Sequence, residues 1–250
     1  IRDRATVISQ AVVFIVFIFM LFFKNHSYIS FNLSDFTFST DIIWDIIKVG
    51  LPASLSMIVM AVGQGVFNKI LVHISVNTVA AYQVAGRLDM LVFLPIFSIA
   101  ASLTTLVGMF YGAKEYRALR YIIKYGIFSA LLITIISSTI VYTFAGHVVR
   151  FFTDDASIVI IAVNFLQIFA FAYPFISVGI TTGRVLQGLG KGLPVLIITI
   201  VRVLGVSAPL ALFFVFIMDK TVEWVWYSMM LSTIAVSYTH LRAHETSFQL

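Results

Sequence analysis

An all-α membrane protein is the fold class this sequence predicts, and three observations predict it. Hydrophobic residues make up 60% of the 250 positions and charged residues only 11%, with a mean hydropathy of +1.04, where a soluble domain carries about 25% charged residues. The apolar residues come in runs close to the length of roughly twenty that a helix needs to cross a bilayer core of about 30 Å. Between the runs lie short polar stretches that hold most of the lysines and arginines. Such a chain has almost nothing with which to cover a surface in water, so membrane lipids are its expected surroundings. The net charge of +5 is too thinly scattered for a nucleic-acid footprint, and none is expected as a partner. Cysteine is absent, which excludes disulfides.

Taken in order, the first run is Ala5 to Phe23, and it is followed by a Ser/Asn/Asp-rich polar stretch from Lys24 to Thr40. Asp41 to Lys48 forms a short amphipathic turn or two, with Ile43, Ile46 and Ile47 on one face and Asp41, Asp45 and Lys48 on the other. The second span is Leu51 to His73, and a polar hairpin from Ala80 to Asp89 leads to the third, about Met90 to Tyr111. The fourth is Tyr121 to Phe144, the fifth Ile158 to Thr181, the sixth Leu193 to Ile217, and the seventh begins at Val222 and stops near Val236. Residues 1–4 and 237–250 are out of character with the rest and are expected to be non-native ends. His240, His244 and Glu245 in the second of these are too loosely spaced for a metal site.

Basic residues set the expected orientation. Lys24 and Lys48, then Lys114, Arg117, Arg120 and Lys124, then Arg184 and Lys191 occupy alternate loops, which are expected to be cytoplasmic. The opposite loops hold Arg87, Arg150 beside Asp154 and Asp155, and Lys220 between Asp219 and Glu223.

The polar groups inside the spans are the candidate functional residues. No span carries a carboxylate at its centre, although an ion-coupled pump ordinarily needs an intramembrane acid. Asp89, at the start of the third span, comes nearest; an interfacial ion pair with Arg87 and a cavity role both fit it. Gln64 and Asn68 lie four apart on one face of the second span, continued by Ser54, Met57, Ala61 and Gly65. Such a stripe serves either as glue between helices, its commoner use, or as a cavity wall offering hydrogen bonds. Asn164 and Gln167, with Tyr173 and Pro174 below them, form a similar polar face on the fifth span. Pro95 and Pro174 each remove a backbone hydrogen bond and should kink their helices. Arg202 lies about nine residues into the sixth span, roughly 13 Å at 1.5 Å per residue, and at that depth must face protein or water. Gly183 to Pro194 is glycine-rich but lacks the spacing of a phosphate loop and follows no strand. The native part shows no nucleophile–base constellation and no metal-ligand spacing, so an enzyme is not expected.

Four pieces of the chain, in order, carry a resemblance: Ala5-Thr6-Val7-Ile8-Ser9-Gln10; Gly50-Leu51-Pro52; Ala80-Ala81-Tyr82 through Arg87, Pro95, Val107-Gly108, Gly112-Ala113 and Arg117-Ala118; and Leu186-Gln187-Gly188-Leu189-Gly190-Lys191 with Pro194. Together they resemble the second half of a multidrug and toxic compound extrusion (MATE) transporter, over about Ala5 to Val236. The resemblance implies the six-helix C-terminal lobe of a MATE-type transporter of the MOP superfamily, over residues 41–236, preceded over residues 5–40 by the last helix of the N-terminal lobe and a cytoplasmic linker. It implies multi-pass insertion in the plasma (inner) membrane and an N-terminal lobe missing from this sequence as partner. It also implies antiport of cationic or amphipathic small molecules, drugs among them, against H+ or Na+ by alternating access. No cofactor is implied. In one branch of the family, acids in the seventh and tenth helices bind the coupling ion, but the matching stretches here hold Met60 and Gln64, and Asn164 and Gln167. The sequence looks closer to the DNA-damage-inducible-like branch, whose coupling acid lies in the first helix, and Asp89 matches a position often acidic there. The alternative within the superfamily is a flippase for a lipid-linked oligosaccharide, which would need a strongly cationic cavity; Arg202 is its support.

Overall fold

The structure, a computed structural model, describes residues 2–23 and 38–247, with side chains described over 7–20 and 38–236. Residues 24–37 of the linker expected over 24–40 lie outside the described residues, as do the side chains of His240, His244 and Glu245. The chain divides after Asp41 into two units. The first contains α1 (Arg2–Phe23), whose apolar residues from Val7 to Met20 are exposed within that unit almost throughout.

The second unit contains α2 (Thr40–Ile74), α3 (Val76–Gly112), α4 (Tyr116–Arg150), α5 (Ala156–Gly188), α6 (Gly192–Ile217) and α7 (Val222–Ser247). Of the described helices, α2 to α6 are long and apolar enough to cross a membrane. At 26 to 37 residues they run roughly 39 to 55 Å at 1.5 Å per residue, so most extend well beyond a hydrocarbon core of about 30 Å. The amphipathic turn expected at 41–48 is the first part of α2, with Lys48 Nζ 3.3 Å from Asp45. The helix expected to stop near Val236 continues in α7 to Ser247.

The largest departure from the sequence reading is the α2–α3 hairpin. Its turn is Ser75 alone, not the polar stretch at 80–89. Ser75 is extended and caps α3, its Oγ accepting from the Thr78 amide at 3.1 Å. The stretch read as a loop carries Ala81, Ala85 and Leu88, which with Val92 beyond it are all buried, at the spacing of one helical face. Asp89 therefore lies thirteen residues into α3, about 20 Å along it, instead of at a helix end. At the same end of the bundle, Asp155 caps α5, accepting from the Ser157 and Ile158 amides at 2.9 and 3.4 Å. Lys114 turns the chain between α3 and α4 with a φ of 60°.

Most of the packing is among α3, α4, α5 and α7, and two helix pairs of the unit run parallel. α3 and α5 keep one register along their length: Asn77 Nδ2 donates to Ser157 Oγ at 2.7 Å, and Thr104 Oγ1 to the Arg184 carbonyl at 3.3 Å, both pairs 80 residues apart. Glycine permits the close approach at the far end, since a Cβ on Gly188 would sit 2.7 Å from the Thr104 carbonyl oxygen. α2 and α6 likewise stay in step. Gly192 lies against the Val49 backbone, Gly63 against Val203, and the His73 ring 4.6 Å from that of Phe216. Small residues at such crossings let membrane helices gain dispersion contact where no hydrophobic drive exists between them.

α4 packs on both α3 and α5. Gly126 of α4 lies under Leu103, and Ser138 donates to the Ala170 carbonyl of α5. That last bond answers a specific need. Pro174 has no N–H to give the carbonyl four residues before it, and the Ser138 hydroxyl fills the place. Pro95 and Pro174 both stand inside helices that continue past them.

Candidate functional site

Asp89 and Tyr173 meet across the α3–α5 seam, the phenol hydroxyl donating to Asp89 Oδ1. Tyr173 is fully buried and Asp89 half-buried. The rings around them form a continuous row. The Phe93 ring stands edge-on to Tyr173 with centroids 5.5 Å apart, and Phe169 lies 6.3 Å away on the other side. Phe165 stacks on Phe169 at 4.2 Å, and Tyr82 and Trp226 close the row, 5.6 and 4.8 Å from Phe165 and 5.7 Å from each other. α5 supplies Phe165, Phe169 and Tyr173 at four-residue spacing, so they stack up one face. α3 supplies Tyr82, Asp89 and Phe93, spaced by seven and four residues and so on one face as well, and α7 contributes Trp226. Trp226 Nε1 and Ser177 Oγ, the latter one turn beyond Tyr173, are buried without a hydrogen-bond partner among the described residues.

The Asp89 carboxylate is held by the Tyr173 phenol, and the rings beside that phenol pack on one another in the core. An acid without a basic partner can supply the charge for a cation, and aromatic rings draw poorly hydrated cations. Arg87 does not neutralise Asp89. Arg87 is exposed, and the two form no ion pair. Among the described residues the ion pair present is Lys48 with Asp45.

The second intramembrane charge is on the other helix pair. Arg202 sits ten residues into α6, at the start of a π-helical segment, Val201–Ser207. Here the amide of Ala208 reaches back five residues to Val203, and Pro209 immediately beyond has no N–H to offer. A second π-helical segment closes α6 at Phe213–Ile217. Arg202 is half-buried, and its Nη2 lies 3.1 Å from the Met60 sulfur of α2. A thioether is a weak acceptor. An arginine at the centre of a membrane helix costs about 3 kcal/mol even on the lenient insertion scale.

The other sequence candidates scatter. Gln64 is exposed on α2, one turn from Met60. Asn68 is half-buried and accepts from Gln83 of α3 at 3.4 Å, a bond between neighbouring helices. Asn164 and Gln167 do not share a face with Tyr173: nine residues separate Asn164 from it, half a revolution of the helix. Asn164 is half-buried and Gln167 exposed, away from the aromatic row. The row itself escaped the sequence reading, although the four-residue spacing of Phe165, Phe169 and Tyr173 was available as its signal. Among the described residues there is no cluster of His, Cys, Asp or Glu suited to a metal ion.

A family model described as MatE matches residues 52–213. The chain is 26% identical over 190 residues to a probable multidrug resistance protein NorM of Thermotoga maritima, a match covering 76% of this chain and 41% of that protein. It is 27% identical over 185 residues to the multidrug export protein MepA of Staphylococcus aureus, covering 74% and 40%. Among solved structures it is similar to a MOP superfamily transporter from Pyrococcus furiosus, described by a binding pocket of reverse polarity that suggests a different function. The TM-score is 0.92 at 27% identity, over 98% of this chain and 55% of that one. An outward-facing multidrug resistance MATE family transporter matches with a TM-score of 0.90 at 28% identity, over 98% and 55%. The chain thus spans about two fifths of these curated relatives and about half of these solved chains.

Proposed function

The chain belongs to the MatE family, a family of multi-pass membrane transporters, and from that premise we propose that it supplies one lobe of a drug efflux transporter whose cationic substrates are recognised at Asp89. On this reading a first lobe completes the passage, the two lobes alternate access across the plasma membrane, and H+ or Na+ moves in exchange. The observation that carries it is the Asp89–Tyr173 hydrogen bond within the aromatic row. A half-buried carboxylate far along a membrane helix, with no basic partner among the described residues, is kept at a cost that function explains better than packing does. Amphipathic cations match such a site in both parts, charge to carboxylate and apolar body to rings. The flippase alternative asks for several converging basic groups to hold a pyrophosphate. The mid-span residues offer one acid and one arginine, which favours the efflux reading.

The test has two readouts. The chain in maltoside micelles is titrated with tetraphenylphosphonium, and Asp89→Asn is expected to weaken binding at least tenfold, about 1.4 kcal/mol, with Tyr173→Phe weakening it less. Cells carrying the reading frame that contains this chain are expected to export a cationic dye in proportion to an imposed proton or sodium gradient. Equal affinity in Asp89→Asn, or export indifferent to both gradients, would count against the proposal.

A further inference from the structure

We infer that Arg202 is the centre of a second subsite, one that binds the oxyanion of an amphipathic ligand — a carboxylate, sulfonate or phosphate — between α2 and α6. Three observations carry it, and the first two do not depend on the cation reading of Asp89.

The first is the state of the guanidinium. Its planar fork of five N–H donors is built to hold two oxygens at once. Among the described residues its hydrogen-bonding partner is the Met60 sulfur, and it has no carboxylate. Arginines within membrane spans ordinarily pair with an acid or face a watery cavity. Arg202 is half-buried, and the Met60 contact leaves donors of the fork that no described residue takes up.

The second is the backbone around it. The π-helical segment Val201–Ser207 begins at the residue before Arg202. Single π turns inside helices recur at functional positions, since the extra residue re-aims side chains and loosens the backbone hydrogen bonds. Gly205 within the segment adds no side chain to block approach, and nothing but its own helix lies near the place of its missing Cβ. On the facing helix, Gln64 follows Met60 by one turn on the same face and is exposed. Its amide can therefore join the arginine on a bound oxyanion.

The third is depth. The Asn68–Gln83 bond fixes the level of α2 against α3. Six residues beyond Gln83 comes Asp89, and six residues back from Asn68 comes Val62, two residues from Met60. The Arg202 and Asp89 levels thus differ by about 3 Å along the helices. Opposite charges on different helix pairs, matched in depth and not paired with each other, define a lobe that can read both signs. The ligand class that follows is an amphiphile with an anionic head, and zwitterions whose cationic group reaches Asp89 fall within it.

Octyl phosphate and octanoate, titrated into the full chain in maltoside micelles by calorimetry, are the probes. Both are expected to saturate, and Arg202→Gln is expected to weaken each at least tenfold while leaving tetraphenylphosphonium affinity unchanged. Arg202→Lys keeps the charge through insertion and loses the fork, and should weaken octyl phosphate about threefold; it serves if the glutamine variant proves unfolded by circular dichroism. Native mass spectrometry of the purified chain separates the two sources of the anion. Phosphatidylglycerol retained by the parent and lost in the variant assigns the subsite to a lipid headgroup, and its absence from both assigns it to a transported solute. Octyl phosphate binding of equal strength in the parent and in either folded variant overturns the proposal, as does a failure of both probes to saturate.

Discussion

The α3–α5 seam and the α2–α6 seam are both parallel helix pairs held in constant register, yet they are built on opposite terms. Along α3–α5, most polar needs are met locally, Ser177 Oγ and Thr182 Oγ1 being buried without a partner among the described residues. Tyr173 serves Asp89, Thr104 reaches the Arg184 carbonyl, and Ser138 from α4 takes the Ala170 carbonyl that Pro174 leaves bare. Backbone there comes within a carbonyl's reach of glycine. Along α2–α6 the backbones come that close only at the Gly192 end, against Val49; mid-helix the close contact is made against a side chain, Val203, and the charge has a sulfur for company. The difference separates a closely packed seam from a looser one, on which the proposed anion subsite lies.

Glycine substitutions probe that contrast most directly and should have the largest effect. An alanine at Gly188 would drive its Cβ to 2.7 Å from the Thr104 carbonyl oxygen and 3.0 Å from Val107. Because the obstacle is backbone, the two helices must separate, at about 3 kcal/mol, the upper part of the overpacking range. An alanine at Gly63 would overlap Val203 Cγ1, an atom of a side chain held in one preferred helical rotamer. Removing that atom removes the conflict. Thermal unfolding in detergent should therefore show Gly188→Ala with much the lower midpoint. Gly63→Ala should lose about 1 kcal/mol and regain it in the double variant Gly63→Ala/Val203→Ala. Equal losses at the two glycines would erase the distinction between the seams.

How much of this could be read beforehand depends on which physical signal each residue leaves in sequence. The spans were legible because hydropathy is additive along a run, and Asp89, Tyr173 and Arg202 stood out because polar groups are scarce in such runs. The hairpin was misplaced because Ala80 to Asp89 looks polar as a string, while its buried face is made of alanines that carry little hydropathy. Ser75, the actual boundary, is a single capping residue. Asn164 and Gln167 were grouped with Tyr173 by proximity in sequence when helical phase sets them on other sides. The Arg202–Met60 contact, 142 residues apart, leaves no local trace, and the π turns that aim the arginine depend on tertiary packing as much as on Pro209.

The Ser138 bond sharpens the contrast at an intermediate scale. Ser138→Ala leaves the buried Ala170 carbonyl without a donor and should cost about 1 to 2 kcal/mol. Pro174→Ala would return a helical N–H to that carbonyl, so the double variant Ser138→Ala/Pro174→Ala should lose less than Ser138→Ala alone. Midpoints of thermal unfolding for the four proteins give the comparison as a cycle. Additive losses would mean that the hydroxyl and the proline are unrelated, and that the seam's polar needs are not met locally as argued.

The smallest expected effect lies at the end of the α3–α5 pair, where Asp155 caps α5 in water. The Ser157 hydroxyl first, then the Ser157 and Ile158 amides, hold its carboxyl below the usual carboxylate range. Since these groups favour the charged form in the folded protein, the cap's contribution is present at neutral pH and is lost as the pH falls through that lowered value. Asp155→Asn keeps an acceptor for the amides but no longer titrates. Unfolding midpoints followed from pH 7 downward should therefore fall more steeply for the parent than for Asp155→Asn, with the two curves converging at the acid end. Parallel acid limbs for the parent and Asp155→Asn would show that the cap's charge does not help to anchor the start of α5.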